Sequence, residues 1–313
     1  MPTSASTPAR SAVIPPSPPG FRSGFVGIVG RPNVGKSTLM NRLVGQKIAI
    51  TSPVAQTTRN RLQGILTLPQ AQLIFVDTPG IHKPHHQLGK VLVQNARTAV
   101  SAVDVVVLTM DGSGAAGRGD RFIVDLVAQT SQQVILGLNK IDRCSDEEVK
   151  ASYEAIAQEH QWPLVEFSAL TGENVDGLLN HLVERLEPGP YYYPPDLVTD
   201  QPERFIMGEL IREQILLQTR EEIPHAVAIS IDRVDEEPAI TRILATIHVE
   251  RMSQKGILIG KGGSKAKQIG TAAREQIQKL VMGKVYLELF VRVQAGWRQS
   301  RAQLAEFGYS PEE

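Results

Sequence analysis

Between residues 25 and 186, short apolar runs alternate with longer segments whose apolar positions recur at helical spacing. The runs at 25–29, 62–68, 72–76, 104–110, 134–138 and 164–167 have the length and the β-branched or aromatic character of strands. Segments 38–44, 88–103, 119–129, 146–160 and 175–186 carry the helical period. Strands that alternate with helices predict an α/β domain, a doubly wound and mostly parallel sheet covered by helices on both faces. Ligands of such sheets gather beyond the carboxyl ends of the strands.

The pattern breaks at Glu187-Pro188-Gly189-Pro190, followed by Tyr191, Tyr192, Tyr193, Pro194 and Pro195. Proline at this density stiffens a chain and ends periodic structure, so residues 188–201 read as a linker pinned by its tyrosines. Residues 21–187 then make the first domain and 202–300 the second. In the second, Glu203–Gln218 is a helix through Ile206, Leu210, Ile211, Ile215 and Leu217. Strands are expected at 226–231, 242–251 and 285–293, with a short apolar turn at 257–259 and a long helix at 264–282. Residues 301–313 are expected to be a tail. Residues 1–20 are rich in Ser, Thr, Pro and Ala, with Arg10 the only charged side chain, and lack the apolar core of a secretory signal. They read as a disordered extension.

Composition narrows the class. The 313 residues suffice for two cores, and 42% hydrophobic with 21% charged residues is the balance of a water-soluble globular chain. No apolar run approaches the roughly 18–20 residues that span a bilayer. Cys144 is the only cysteine, which excludes a disulfide framework within one chain and suits a reducing compartment. Net charge is zero, so affinity for a polyanion would have to come from segregated charge.

Gly30-Arg31-Pro32-Asn33-Val34-Gly35-Lys36-Ser37-Thr38 lies between the first strand and the first helix. Glycines at 30 and 35 let the backbone curl so that successive N–H groups face phosphate oxygens, and the helix adds its positive dipole end. Lys36 would reach the β- and γ-phosphates and the Ser37 hydroxyl would hold Mg²⁺. Asp77-Thr78-Pro79-Gly80 ends another strand: Asp77 can hold a water of the Mg²⁺ shell and the Gly80 N–H can meet the γ-phosphate. Asn139-Lys140-Ile141-Asp142 ends the strand at 134–138. A carboxylate there accepts from guanine N1–H and the N2 amine, a donor pair that adenine lacks. Ser168-Ala169-Leu170 ends the next strand and can present a backbone N–H to guanine O6. Each motif alone is short enough to be a surface turn; their shared placement at strand ends argues for a guanine-nucleotide site.

In the second domain Gly260-Lys261-Gly262-Gly263 has the GxxG spacing of a KH loop. The spacing proves nothing alone, since Gly24 and Gly27 share it. Its setting does more: a strand and a short apolar segment precede it, a long helix and a strand follow, and the helix and strand before these fit the second KH topology. Such a loop clamps a single-stranded RNA backbone against an apolar groove. Residues 251–284 hold Arg251, Lys255, Lys261, Lys265, Lys267, Arg274, Lys279 and Lys284 against one acid, Glu275. That segregation favours a polyanion; a basic face with no ligand is the alternative.

The motif order closely resembles the translation-factor-related GTPases. The resemblance implies a first switch at residues 47–61, with Gln56-Thr57-Thr58-Arg59 as its metal-reading threonine motif. Thr58, directly before Arg59, is favoured as the Mg²⁺ ligand over Thr57. A second switch runs from Asp77 through Ile81, His82, Lys83, Pro84, His85 and His86; its histidines read as a solvated loop rather than a metal site. Small signalling GTPases carry a water-orienting glutamine where this chain has Ile81, so slow hydrolysis is expected unless another group supplies charge. Related GTPases with an asparagine in the phosphate loop use it to hold K⁺. By that resemblance Asn33 joins Lys36, Thr58 and Gly80 as a catalytic candidate; a loop-stabilising Asn33 is the alternative.

Residues 21–300 as a whole resemble the Era family of bacterial-type GTPases, a GTPase domain followed by a type II KH domain. The resemblance implies GTP hydrolysis to GDP and phosphate, with Mg²⁺ and K⁺ as ions. It implies binding near the 3′ end of 16S rRNA and a role in assembly of the small ribosomal subunit. A cytoplasmic monomer with peripheral association at the inner face of the cell membrane is expected. Two other readings stand beside it: a phosphotransferase using the phosphate loop, and an RNA-binding scaffold whose hydrolysis is incidental. Guanine selectivity through Asp142 speaks against the first, and Ile81 keeps the second open.

Overall fold

A computed structural model describes residues 14–52, 62–77, 100–130, 132–144, 146–221 and 223–307. Thr57, Thr58, Thr78, Pro79, Gly80, Ile81, His82, His85 and His86 lie outside these residues, as does all but the end of the helix expected at 88–103. The first domain runs β1 (Arg22–Gly30), α1 (Lys36–Val44), β2 (Leu62–Thr67), β3 (Ala71–Asp77), β4 (Val105–Asp111), α2 (Arg118–Ala128), β5 (Gln133–Asn139), α3 (Glu147–His160), β6 (Leu164–Phe167) and α4 (Val175–Arg185). The sheet order is β2-β3-β1-β4-β5-β6, with β2 antiparallel to β3 and the remaining pairs parallel. β3 is buried at every position and β4 at every position before Asp111, which is why both read as unbroken apolar runs rather than alternating ones. β1 lies between β3 and β4, so the strand order reverses there and a crevice opens at its end, where Gly30 begins the phosphate loop.

The second domain runs α5 (Glu203–Gln218), β7 (Ala228–Glu237), β8 (Ile240–Val249), α6 (Met252–Ile259), α7 (Ser264–Ile277) and β9 (Lys284–Val293). Its sheet is β7-β8-β9, antiparallel then parallel, and the αββααβ order is the second KH topology. On β8, Ile243, Ala245, Ile247 and Val249 turn inward, joining Leu210 and Ile211 of α5 and Ile269 and Ala273 of α7.

Four sequence expectations need correction. Residues 257–259 are the last turn of α6, not an isolated apolar turn. The helix expected at 264–282 stops at Ile277, because the Gln278 side chain bonds Gly283 O and accepts from Val285 N, while Gly283 turns with φ 79°. The strand expected at 226–231 begins at Ala228 and continues to Glu237; a bulge between Ile231 and Arg233 resets the alternation and hides the continuation. The tail is folded as far as Phe307: Arg301–Glu306 forms α8, and Phe307 is buried with its ring 5.5 Å from Trp297 and 4.4 Å from His248.

The proline-rich segment is strapped to the first domain. Gln72 accepts from the Tyr192 and Tyr193 amides at 2.8 and 3.0 Å and donates to Tyr193 O at 2.9 Å. The Tyr193 hydroxyl donates to Gln63 at 2.9 Å, and rings of Tyr191 and Tyr192 pack on Phe21 and Phe25. One buried apolar cluster then runs from α1, Ile48 and Ala49 to α5 and the KH sheet.

Candidate nucleotide site and RNA-binding loop

The phosphate loop takes its shape from groups that leave no room for side chains. A Cβ on Gly30 would stand 2.4 Å from Thr109 O, and one on Gly35, where φ is +101°, would stand 2.3 Å from Asn139 Nδ2. Asn33 adopts φ 66°, a left-handed conformation that asparagine tolerates well. Lys36 is buried, and its Nζ donates to Gly30 O at 3.2 Å and Arg31 O at 2.9 Å. Burial pulls its pKa below the usual lysine value, against the raising effect of the Asp77 carboxylate. Among the described residues the hydrogen-bond acceptors of Lys36 are these two carbonyls.

Ser37 Oγ donates to Asp77 Oδ2 at 3.0 Å, so the expected metal-site pair meets across the ends of α1 and β3. A hydroxyl and a carboxylate are hard oxygen donors, the chemistry that Mg²⁺ takes beside phosphate and water. Thr58 and Gly80 lie outside the described residues, as do Thr78 and Pro79.

The residues expected to read the base lie together in the structure. Asn139 is buried, donating to Val34 O at 2.8 Å and accepting from Ala169 N at 2.9 Å, which ties the phosphate loop to the Ser168–Leu170 turn. Ser168 Oγ donates to Asp142 Oδ1 at 2.6 Å and fixes the carboxylate. Lys140, with φ 69°, donates to Asn33 O at 2.8 Å and to Asp111 Oδ2 at 2.6 Å. Asp111 was missed in the sequence. It ends β4 in register with Asn139 on β5, and a carboxylate at a strand end of such a sheet was the signal. Arg31 points away to α2, 3.1 Å from the buried Asp120.

In the KH unit, Gly260, Gly262 and Gly263 have φ of 72°, 60° and 80°. A Cβ on Gly260 would press 2.7 Å from Lys265 Cβ, whereas Gly262 and Gly263 face open space. Beside the loop Ile257 is half exposed, Lys261 and Lys267 are exposed, and Lys265 is half-buried. Among the described residues none of the eight cations between 251 and 284 is in an ion pair. The basic face is therefore uncompensated.

A phosphate loop and the Asn139–Asp142 and Ser168–Leu170 turns at the strand ends, joined to a GxxG-bearing KH fold, define a GTPase with a KH domain. Comparison with known proteins agrees: the family described as 50S ribosome-binding GTPase matches residues 25–140 and the KH domain family matches residues 222–298. GTPase Era of Nostoc sp. (strain PCC 7120) is 70% identical over 302 residues, spanning 96% of this chain and 93% of that one. GTPase Era of Synechocystis sp. (strain PCC 6803) is 65% identical over 310 residues, 98% of each chain. An Era solved with MgGDPNP and nucleotides 1506–1542 of 16S ribosomal RNA is 36% identical, with a TM-score of 0.86 over 93% of this chain and 100% of that one. The chain belongs to the Era family of GTPases.

Proposed function

We propose that this GTPase couples GTP binding and hydrolysis to a grip on single-stranded 16S rRNA near its 3′ end, during assembly of the small ribosomal subunit. One observation carries the reading: a guanine-nucleotide site and a KH loop with an unpaired basic face stand in one chain, as in the Era solved with MgGDPNP and a 16S rRNA fragment. In this reading Lys36 and the backbone N–H groups of the Gly30–Thr38 loop, Pro32 apart, hold the phosphates, and Asn139, Lys140 and Asp142 with Ser168, Ala169 and Leu170 hold guanine. Ser37, Asp77 and Thr58 would hold Mg²⁺, which supplies charge stabilisation at the β- and γ-phosphates. Asn33 would hold K⁺, and the Gly80 N–H would meet the γ-phosphate. Gly260–Gly263, Lys261, Lys265 and Lys267 clamp the RNA backbone against Ile257.

Because Ile81 cannot orient water, charge rather than a side-chain base lowers the barrier. Turnover is then slow, rises when K⁺ replaces Na⁺, and loses that rise in Asn33→Ala; indifference to the cation removes Asn33 from the reaction. No described helix is long and apolar enough to cross a membrane. We infer a cytoplasmic monomer that meets the inner face of the membrane only peripherally. The deciding experiment measures binding of a 16S 3′-terminal fragment to the GDPNP- and GDP-loaded chain. Tighter binding in the GDPNP form supports a switch; equal binding favours a scaffold with incidental hydrolysis.

A further inference from the structure

The Ser168–Leu170 turn is held on one side by the motif residues Asn139 and Asp142. On its other side it is held by a residue outside every motif. Arg42, in the last turn of α1, donates Nε to Ala169 O at 3.3 Å and Nη2 to Leu170 O at 2.5 Å. Its guanidinium lies over Gly172, where φ is +94° and a Cβ would stand 3.4 Å from Nη1. Among the described residues no other donor reaches either carbonyl.

A trans peptide is planar, so its C=O and N–H point in opposite directions. Drawing Ala169 O toward Arg42 therefore turns the Leu170 N–H away from α1. That amide has no partner among the described residues, whereas the Ala169 N–H is taken by Asn139. We propose that Arg42 is a positioning residue for guanine specificity: by gripping two carbonyls it aims the Leu170 N–H at guanine O6. The inference rests on the guanine-nucleotide reading of this pocket. It also links the two ends of the ligand, since the helix that begins at the phosphate loop sets the angle of the base-reading turn.

Two analogues separate this role from general damage. 6-Thioguanosine triphosphate keeps N1–H and the 2-amine but offers a weak sulfur acceptor at position 6. Inosine triphosphate keeps O6 and loses the 2-amine that Asp142 reads. In Arg42→Ala the preference for GTP over the 6-thio analogue should shrink about tenfold, the worth of one well-aimed hydrogen bond, while the preference for GTP over ITP holds. Arg42→Lys, with one donor centre for two carbonyls, should fall between. Unchanged 6-thio discrimination, or equal shrinkage of both preferences, overturns the proposal. If the unmutated chain prefers GTP to neither analogue, the guanine reading itself fails, and the proposal with it.

Discussion

Lys47 and Glu213 meet across the two domains, Nζ 2.5 Å from Oε2. Lys47 opens the segment expected to be the first switch, and Glu213 sits on α5 of the KH domain with only 1% of its surface exposed. The other carboxylate oxygen accepts from Thr51 N at 2.8 Å and Thr51 Oγ1 at 3.2 Å. From the opposite side Asn41 of α1 accepts from Ile48 N and Ala49 N at 2.9 and 2.8 Å. A cavity of about 200 Å³ lined by Lys47, Ile48, Val198, Met207 and Leu280 lies beside the pair. Glu213 thus ties both Lys47 and Thr51 of the first domain to α5.

Glu213→Ala should therefore destabilise the chain by about 2 kcal/mol, chiefly by leaving the Thr51 N–H without an acceptor. The loss stays below that of a fully buried ion pair because Lys47 is about a third exposed and returns to water. Glu213→Gln keeps an acceptor for Thr51 and should lose less. Denaturant unfolding of both variants decides this; equal losses would show that the negative charge facing Lys47, not the acceptor offered to Thr51, fastens the domains.

Gly35→Ala should abolish nucleotide binding, because the new Cβ meets Asn139 Nδ2 at 2.3 Å in a backbone conformation that alanine avoids. Gly45 also has positive φ, 77°, but faces open space at the end of α1. Gly45→Ala should cost about 1 kcal/mol of stability and leave GTP affinity unchanged. Equal loss of affinity in the two would place the effect in the helix rather than in the loop.

The mostly parallel sheet, the phosphate loop and the strand-end turns at 139–142 and 168–170 were legible because each motif falls at the end of a recognisable apolar strand. Asp111 was not, since Asp111-Gly112 reads equally as a simple turn. Arg42 and Glu213 were not, since a charged residue on an amphipathic helix reads as solvated until a distant element covers it. The apolar period of α7 runs on through Leu280, and only the Gln278 side chain reveals that the helix has stopped. α8 was hidden by its polar sequence; Phe307 alone buries deeply enough to hold it.

His248 should make the KH end acid-sensitive. It bonds Ser230 and Gln294 at 2.9 and 2.8 Å and packs on Phe307, and burial lowers its pKa from the usual 6.5. The Gln294 bond and the carboxylates of Asp232 and Glu306 oppose that shift, while Arg292 adds to it. With the folded pKa below 6.5, the unfolded chain binds more protons between the two values, so stability is lost as pH falls below about 6.5. Thermal unfolding between pH 7.5 and 5 should show this loss, and His248→Gln should flatten it. A slope that persists in the variant assigns it to other groups.

The grip of Gly260–Gly263 on single-stranded RNA is tested by Lys261→Asp combined with Gly262→Asp. A side chain at 262 meets nothing within 4 Å, and aspartate tolerates positive φ better than most residues, so the loop should survive the change. The measurement is a salt titration of binding to a single-stranded 16S 3′ fragment and to a duplex control, with GTP binding followed in parallel. The double variant should lose the RNA and keep GTP, because two carboxylates repel the phosphates. Lys265→Gln and Lys267→Gln singly should only weaken binding and flatten its salt slope by about one unit. If the double variant binds the fragment as tightly as the parent, or duplex binds as tightly as single strand, the RNA grip does not lie in this loop.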